Sequence, residues 1–225
     1  MKLVPKVFLD ANVFKFATTE QQRLVPRRTS IQWGPKIFDM VVHDLKVLNP
    51  NDRIRNPELK SEAGLVEKLA AKAKSGQFKA VSHFEVTFET MGLPAMDCQR
   101  GRFYGAPVEQ IKAPITYSRL FISGRHDPER LVRDFLEGLS DPRFDELQKI
   151  TGAFQGDRPK NLNQLLDAFY LWCAEFELCD YFLTLDFKLI RIVTKAARRR
   201  KAPRLVRPSE LLRALDNEAH SAKPR

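Results

Sequence analysis

The first regular feature along the chain is a short unbroken apolar run, Val7-Phe8-Leu9, entered from Lys6 and closed by Asp10. A run of this kind fits a strand buried on both faces. Residues 35–48 then carry Ile37, Phe38, Val41, Val42 and Leu45 at helical intervals, which predicts a helix, with Asn49-Pro50-Asn51-Asp52 as its breaker. The same spacing recurs over 61–74 through Leu65, Leu69 and Ala73, and Ser75-Gly76 ends this second predicted helix. Residues 78–84 predict a strand that runs into a short helix over 85–91. Ser82 is its candidate N-cap, with Glu85 three residues on.

Residues 92–160 differ in texture, holding 7 of the 10 glycines and 6 of the 14 prolines. A strand near 115–122 and helices near 129–139 and 144–150 are predicted there, and the stretch reads as a loop-rich insertion or cap within one domain spanning 1–225. Regularity then returns. Residues 161–177 form a strong helix pattern, with Leu162, Leu165, Leu166, Phe169, Trp172, Cys173 and Phe176 in a wide apolar stripe. The strand Tyr181-Phe182-Leu183-Thr184-Leu185 follows and ends at Asp186. A basic helix over about 188–198, a short strand at Leu205-Val206 and a last helix over 208–215 complete the chain. Strands alternating with helices in this way predict the α/β class, a three-layer α/β/α arrangement around a central parallel sheet.

The apolar share of 43% over 225 residues is enough for a sizeable core. The longest apolar stretch, 168–174, is too short to span a bilayer, and the N-terminal run is too short for a signal peptide. A cytoplasmic protein with no membrane partner is expected. Cys98, Cys173, Cys179 and the four histidines lack the paired spacings of zinc sites, and three cysteines do not make a disulfide framework. The formal charge is +10, and 12 Lys and Arg against 3 Asp and Glu fall within residues 187–225. Arg198, Arg199, Arg200 and Lys201, flanked by Lys195 and Arg204, make the 195–225 segment strongly basic. A localised positive run suits phosphate contacts with a polyanion such as RNA; a solvated, partly disordered tail is the plainer reading.

The acidic residues carry the chemistry. Asp10 and Asp186 each close a buried-strand candidate, and in open parallel sheets ligands bind outside the carboxyl ends of the strands. Either aspartate alone could cap a following helix, but two at equivalent positions weaken that explanation. Asp167 lies within an apolar helix. Its helical neighbours Asn163, Gln164, Tyr170 and Leu171 are not cationic, which leaves a site role or a solvent-facing position. A fourth acid comes from Glu85 or Glu89, which share a helix face. Glu85 also fits a capping box with Ser82, so Glu89 is preferred for the site. Converging carboxylates cannot all ionise without a counter-charge, and Mg²⁺ or Mn²⁺ with oxygen ligands supplies one. Such an ion can activate water and neutralise a phosphate under attack. No phosphate-binding GxxxxGK[ST] loop and no GxSxG elbow is present.

Val7-Phe8-Leu9-Asp10-Ala11-Asn12-Val13-Phe14 resembles the opening strand and motif of PIN-domain nucleases, and Asp167-Ala168-Phe169 with Leu183-Thr184-Leu185-Asp186 resembles that family's C-terminal acids. The resemblance covers roughly 3–91 and 161–215. It implies a PIN-like fold, with Asp10, Asp167 and Asp186 as metal-binding acids, Glu89 or Glu85 as the acid after the second strand, and Asn12 and Thr184 as polar supports. It also implies Mg²⁺- or Mn²⁺-dependent cleavage of RNA and a homodimer. The 92–160 segment is longer than compact toxin members of the family need. The resulting expectation is a metal-dependent endoribonuclease whose basic segment holds RNA. The alternatives are a non-catalytic RNA-binding protein on a degenerate scaffold, a toxin neutralised by a small antitoxin protein, or a protein-interaction module.

Other side chains add less. His83 and His126 read as structural or surface histidines, and Phe169, Tyr170, Trp172 and Phe176 as core. Arg100, Arg102, Phe103 and Tyr104 mix basic and aromatic groups as single-strand-binding surfaces do, but an ordinary exposed loop is the favoured reading there. Cys173 and Cys179 read as buried thiols.

Overall fold

The computed structural model describes residues 4–19, 21–91, 102–118, 128–154, 161–196 and 202–221. Its centre is β1 (Lys6–Leu9), the apolar run that opens the chain, with Val7, Phe8 and Leu9 fully buried. On one side β1 pairs in parallel with β4 (Lys79–Ser82), which pairs with the two-residue β5 (Glu109–Gln110). On the other it pairs in parallel with β6 (Tyr181–Leu183), which pairs with β7 (Arg204–Val206). The sheet order is β5-β4-β1-β6-β7, so the chain builds outward from β1 in one direction and then returns to build in the other. That reversal makes the carboxyl ends of β1 and β6 a topological switch point, where open sheets form their ligand crevice.

Helices flank this sheet, giving the α/β architecture that the alternation of elements predicts. They are α1 (Ala11–Ala17), α2 (Pro57–Ala63), α3 (Val66–Lys74), α4 (Phe84–Met91), α5 (Pro128–Glu137), α6 (Pro142–Thr151), α7 (Leu162–Phe176), α8 (Phe187–Ala196) and α9 (Pro208–Ser221). The longest of these, α7, starts at Asn161, whose side-chain oxygen accepts from the Asn163 and Gln164 N–H groups. Phe8 stacks on Phe182 at 4.9 Å between ring centroids, and Phe169 meets Phe144 and Trp172 edge-on, each at 6.3 Å. Residues of the 92–160 stretch enter the same core: Phe103, Leu136, Phe144 and Leu147 are buried in it.

The structure corrects several sequence expectations. Residues 35–48 are not a helix but a strand, β3 (Lys36–Leu48), paired antiparallel with β2 (Gln21–Trp33) in a separate two-stranded sheet. Gly34, at φ +61°, and Pro35 form its two-residue turn, where a positive φ at the first position suits a tight hairpin. Most of both strands is exposed. With neither face buried, nothing selected the two-residue period, and the apolar positions matched helical spacing by composition. The helix expected over 61–74 is two helices, α2 and α3, divided at Gly64. No strand occupies residues 115–118, and 119–122 lie outside the described residues; the strand of this region is β5. Ser82 does not cap α4. Its hydroxyl donates to the Leu9 carbonyl at 3.2 Å, and His83 Nδ1 instead accepts from the Glu85 N–H at 3.2 Å.

Candidate active site

Asp10 leaves β1 and turns into α1. Its N–H donates to the Leu183 carbonyl at 3.1 Å, which ties the turn to the end of β6. One carboxylate oxygen, Oδ1, accepts from the Ala11 N–H at 2.7 Å. The other, Oδ2, accepts from Asn12 Nδ2 and from the Thr184 hydroxyl, both at 2.6 Å. Capping and site placement are therefore not alternatives for Asp10: one oxygen serves the helix and the other a network reaching across the sheet.

Thr184 organises the second strand end. Its hydroxyl donates to Asp10 and accepts from Asn12 Nδ2 at 2.9 Å and from the Asp186 N–H at 3.0 Å. The Asn12 side-chain oxygen accepts from the Leu185 N–H at 2.9 Å, so β1 and β6 are stitched together just beyond their last paired residues. Asp186 follows, its Oδ1 accepting from the N–H groups of Lys188 and Leu189 at 2.8 and 2.9 Å, which caps α8 and leaves its second oxygen for other use.

Asp167 and Glu89 reach the same place from helices. Asp167 is half-buried on α7 rather than solvent-facing, and no described residue hydrogen-bonds its carboxylate. Glu89, on α4, accepts from the Tyr170 hydroxyl at 2.8 Å through Oε2. Glu85, one turn earlier, is buried elsewhere: its Oε1 accepts from the Tyr117 hydroxyl at 2.9 Å. Of the two glutamates the sequence left open, Glu89 is the one electrostatically coupled to Asp10 and Asp167.

Burial and the charges of neighbouring acids act together on the ionisation of these groups. Burial pushes the Asp10 carboxyl from 3.8 up to about 7; the Thr184 and Ala11 donors pull against that, and the charges of Glu89 and Asp186 add to it. Burial raises Asp167 well above the carboxylate range, and Asp10, Asp186 and Glu89 raise it further against the pull of Lys188. Glu89 is raised by burial and held back by the Tyr170 hydrogen bond and by Lys15. Four carboxylates from four elements thus sit in one electrostatic neighbourhood, with two lysines beside it. Comparison of the chain with protein-family models, with curated proteins and with solved structures finds no match. The site is therefore read from its own chemistry.

The donor set is all oxygen and acidic, which suits a hard divalent cation such as Mg²⁺ or Mn²⁺ and not a soft one. Among the described residues, no trio of His, Cys, Asp and Glu is drawn in tightly enough to form a ready metal-holding group. Carboxylates that raise one another's pKa repel when ionised, and a divalent ion is the counter-charge that would let them close.

Three participants were not visible in the sequence. Tyr170 lies one helical turn from Asp167 but reads as core in an aromatic stripe; only its hydroxyl distinguishes it from Phe169. Lys15 and Lys188 follow Asp10 and Asp186 by five and two residues, a spacing that carries no motif. Other candidates resolve differently. Phe103 and Tyr104 are buried, so they are not a base-stacking surface, and Arg102 lies over the Phe14 ring at 4.5 Å while donating to Thr87 and Thr90. His83 is buried against Phe169. Cys173 and Cys179 are free and buried, burial pushing the Cys179 thiol up to about 12. Lys195 lies in the last turn of α8; Arg198, Arg199, Arg200, Lys201, Arg100, Cys98 and His126 lie outside the described residues. Among the described residues, no helix is long and apolar enough to cross a membrane.

Proposed function

We propose that this chain is a metal-dependent endoribonuclease of PIN-like architecture. The observation that supports this most is the coupling of Asp10, Glu89, Asp167 and Asp186, each from a different element, at the switch point of a parallel sheet. The resemblance of the segments around Asp10 and Asp186 to PIN-domain motifs points the same way.

In this reading Asp10, Asp167 and Asp186 hold Mg²⁺ or Mn²⁺. When bound, the ion supplies charge neutralisation and Lewis acidity to a phosphodiester and its attacking water. The chain's own residues do the rest. Thr184, Asn12 and the Ala11 N–H fix the Asp10 carboxylate by hydrogen bonds to both oxygens. Glu89, raised by burial and steadied by Tyr170, suits the role of proton acceptor. Lys15 and Lys188 add positive charge at the rim, and Lys195 with the 198–201 run supplies phosphate contacts along the RNA backbone.

Incubation of purified protein with mixed single-stranded and structured RNA, with Mn²⁺ or with a chelator, tests the reading. Internal cleavage that requires Mn²⁺ is expected. Salt-sensitive RNA binding without metal-dependent cleavage would assign the chain to the non-catalytic alternative.

A further inference from the structure

The hairpin β2–β3 is the part of the molecule that the acidic residues do not explain. A two-stranded hairpin is marginal in water unless further strands or a packed face support it. Nine of the 14 large exposed apolar side chains among the described residues lie on this one, six of them on β3. Trp33 is 79% exposed and Ile37 71%. The register divides these nine between the two faces of the hairpin, so at on the order of 100 Å² apiece each face offers roughly 400–500 Å², within the 300–600 Å² of the largest, often functional, apolar patch of a monomer, and pairing two copies edge to edge makes each face continuous across both.

The two outer edges are not alike. β2 carries Pro26, which has no N–H to offer, beside Arg27 and Arg28, the devices by which natural edge strands refuse a further strand. Thirteen residues of β3 run without a proline and include Ile37, Phe38, Met40, Val41 and Val42. Its outer row of backbone donors and acceptors pairs with no strand among the described residues. Such an edge is a template for strand addition.

We propose that β3 docks on β3 of a second copy of this chain, the two strands pairing antiparallel about Met40 to make one four-stranded sheet. The charges select both partner and register. Centred on Met40, the pairing places Lys36 opposite Asp44 of the second copy, twice by symmetry, and Phe38 opposite its Val42. A register that keeps the same faces aligned must shift by two residues. One such shift sets Lys36 against Lys46, and the other sets Asp39 against Asp39. Both neighbouring registers oppose like charges, and the Met40 register opposes unlike ones. Asp44 also pairs with Arg27 of its own hairpin at 2.8 Å, on a face open enough for a second cation to join it. This inference is independent of the acidic site.

Sedimentation velocity on the full chain over a range of concentrations is the test. A dimer is expected. Phe38→Lys with Val42→Lys should weaken it at least tenfold in Kd while the circular dichroism of the body is unchanged. Lys36→Glu and Asp44→Lys should each weaken it, and the two together should recover part of the loss. A wild-type monomer at every concentration would overturn the proposal. So would a dimer indifferent to the Phe38/Val42 substitutions, or an assembly that disappears when copurifying nucleic acid is removed.

Discussion

The Tyr170 hydroxyl donates to Glu89 Oε2 at 2.8 Å, joining α7, which carries Asp167, to α4. This contact holds the acid from α4 in the electrostatic neighbourhood of Asp10 and Asp167 and favours the ionised form of Glu89. Tyr170→Phe keeps the buried ring and deletes the donor. The expected result is a stability loss of about 1 kcal/mol, a higher Glu89 pKa and an acid limb of the cleavage pH profile moved upward. Thermal melts and pH–rate profiles of the two proteins check it.

Asp10→Asn and Asp186→Asn should reduce metal-dependent cleavage on the order of 10³-fold or more while the fold is retained. Circular dichroism alongside the cleavage assay separates loss of chemistry from loss of structure.

Asp167→Asn should separate stability from activity. Burial and three neighbouring acids oppose ionisation of this carboxyl, so the neutral amide removes a cost the metal-free protein carries at neutral pH. A thermal midpoint raised by a few degrees without metal, together with loss of any Mn²⁺-dependent rise, is the expected outcome of parallel melts.

The raised pKa values fix a sign for pH dependence. Asp10 ionises near 3.8 when unfolded and at about 7 when folded, so between those values the folded chain binds more protons. Its contribution to metal-free stability is therefore fully present below about pH 4, declines as pH rises, and is gone above about pH 7. Glu89 and Asp167 act in the same direction. Because a cation requires the carboxylates deprotonated, stabilisation by Mn²⁺ should be small at about pH 5 and grow towards about pH 8. Melts across that range with and without the ion measure it.

Thr184→Val removes the donor at 2.6 Å from Asp10 Oδ2 and the acceptor for the Asp186 N–H. The buried partners left behind should cost about 1–3 kcal/mol, and Asp10 should titrate higher still. Thr184→Ser, which restores the hydroxyl, should recover most of both effects in denaturant unfolding and in the pH profile.

The central strands β1, β4, β6 and β7 were legible because burial writes itself into sequence. Val7-Phe8-Leu9 and Tyr181-Phe182-Leu183 had to be continuous apolar runs to lie inside the sheet, and an aspartate follows each at the carboxyl end of its strand. Asp167 stood out because an acid in an apolar helix lacked a cation at helical spacing. Where burial is absent the signal failed: β3 faces water on most of its length, so nothing imposed a two-residue alternation and Ile37, Phe38, Val41, Val42 and Leu45 fell at helical spacing. Glu85 and Glu89 share a helix face, and only the tertiary positions of Tyr117 and Tyr170 separate their roles.

Calorimetric titration of Mn²⁺ into the metal-free protein at about pH 8 tests the central claim most directly. Saturable binding that is lost in Asp10→Asn and in Asp186→Asn is the predicted result. No binding to the wild-type chain, or equal binding by the wild type and both variants, would contradict it.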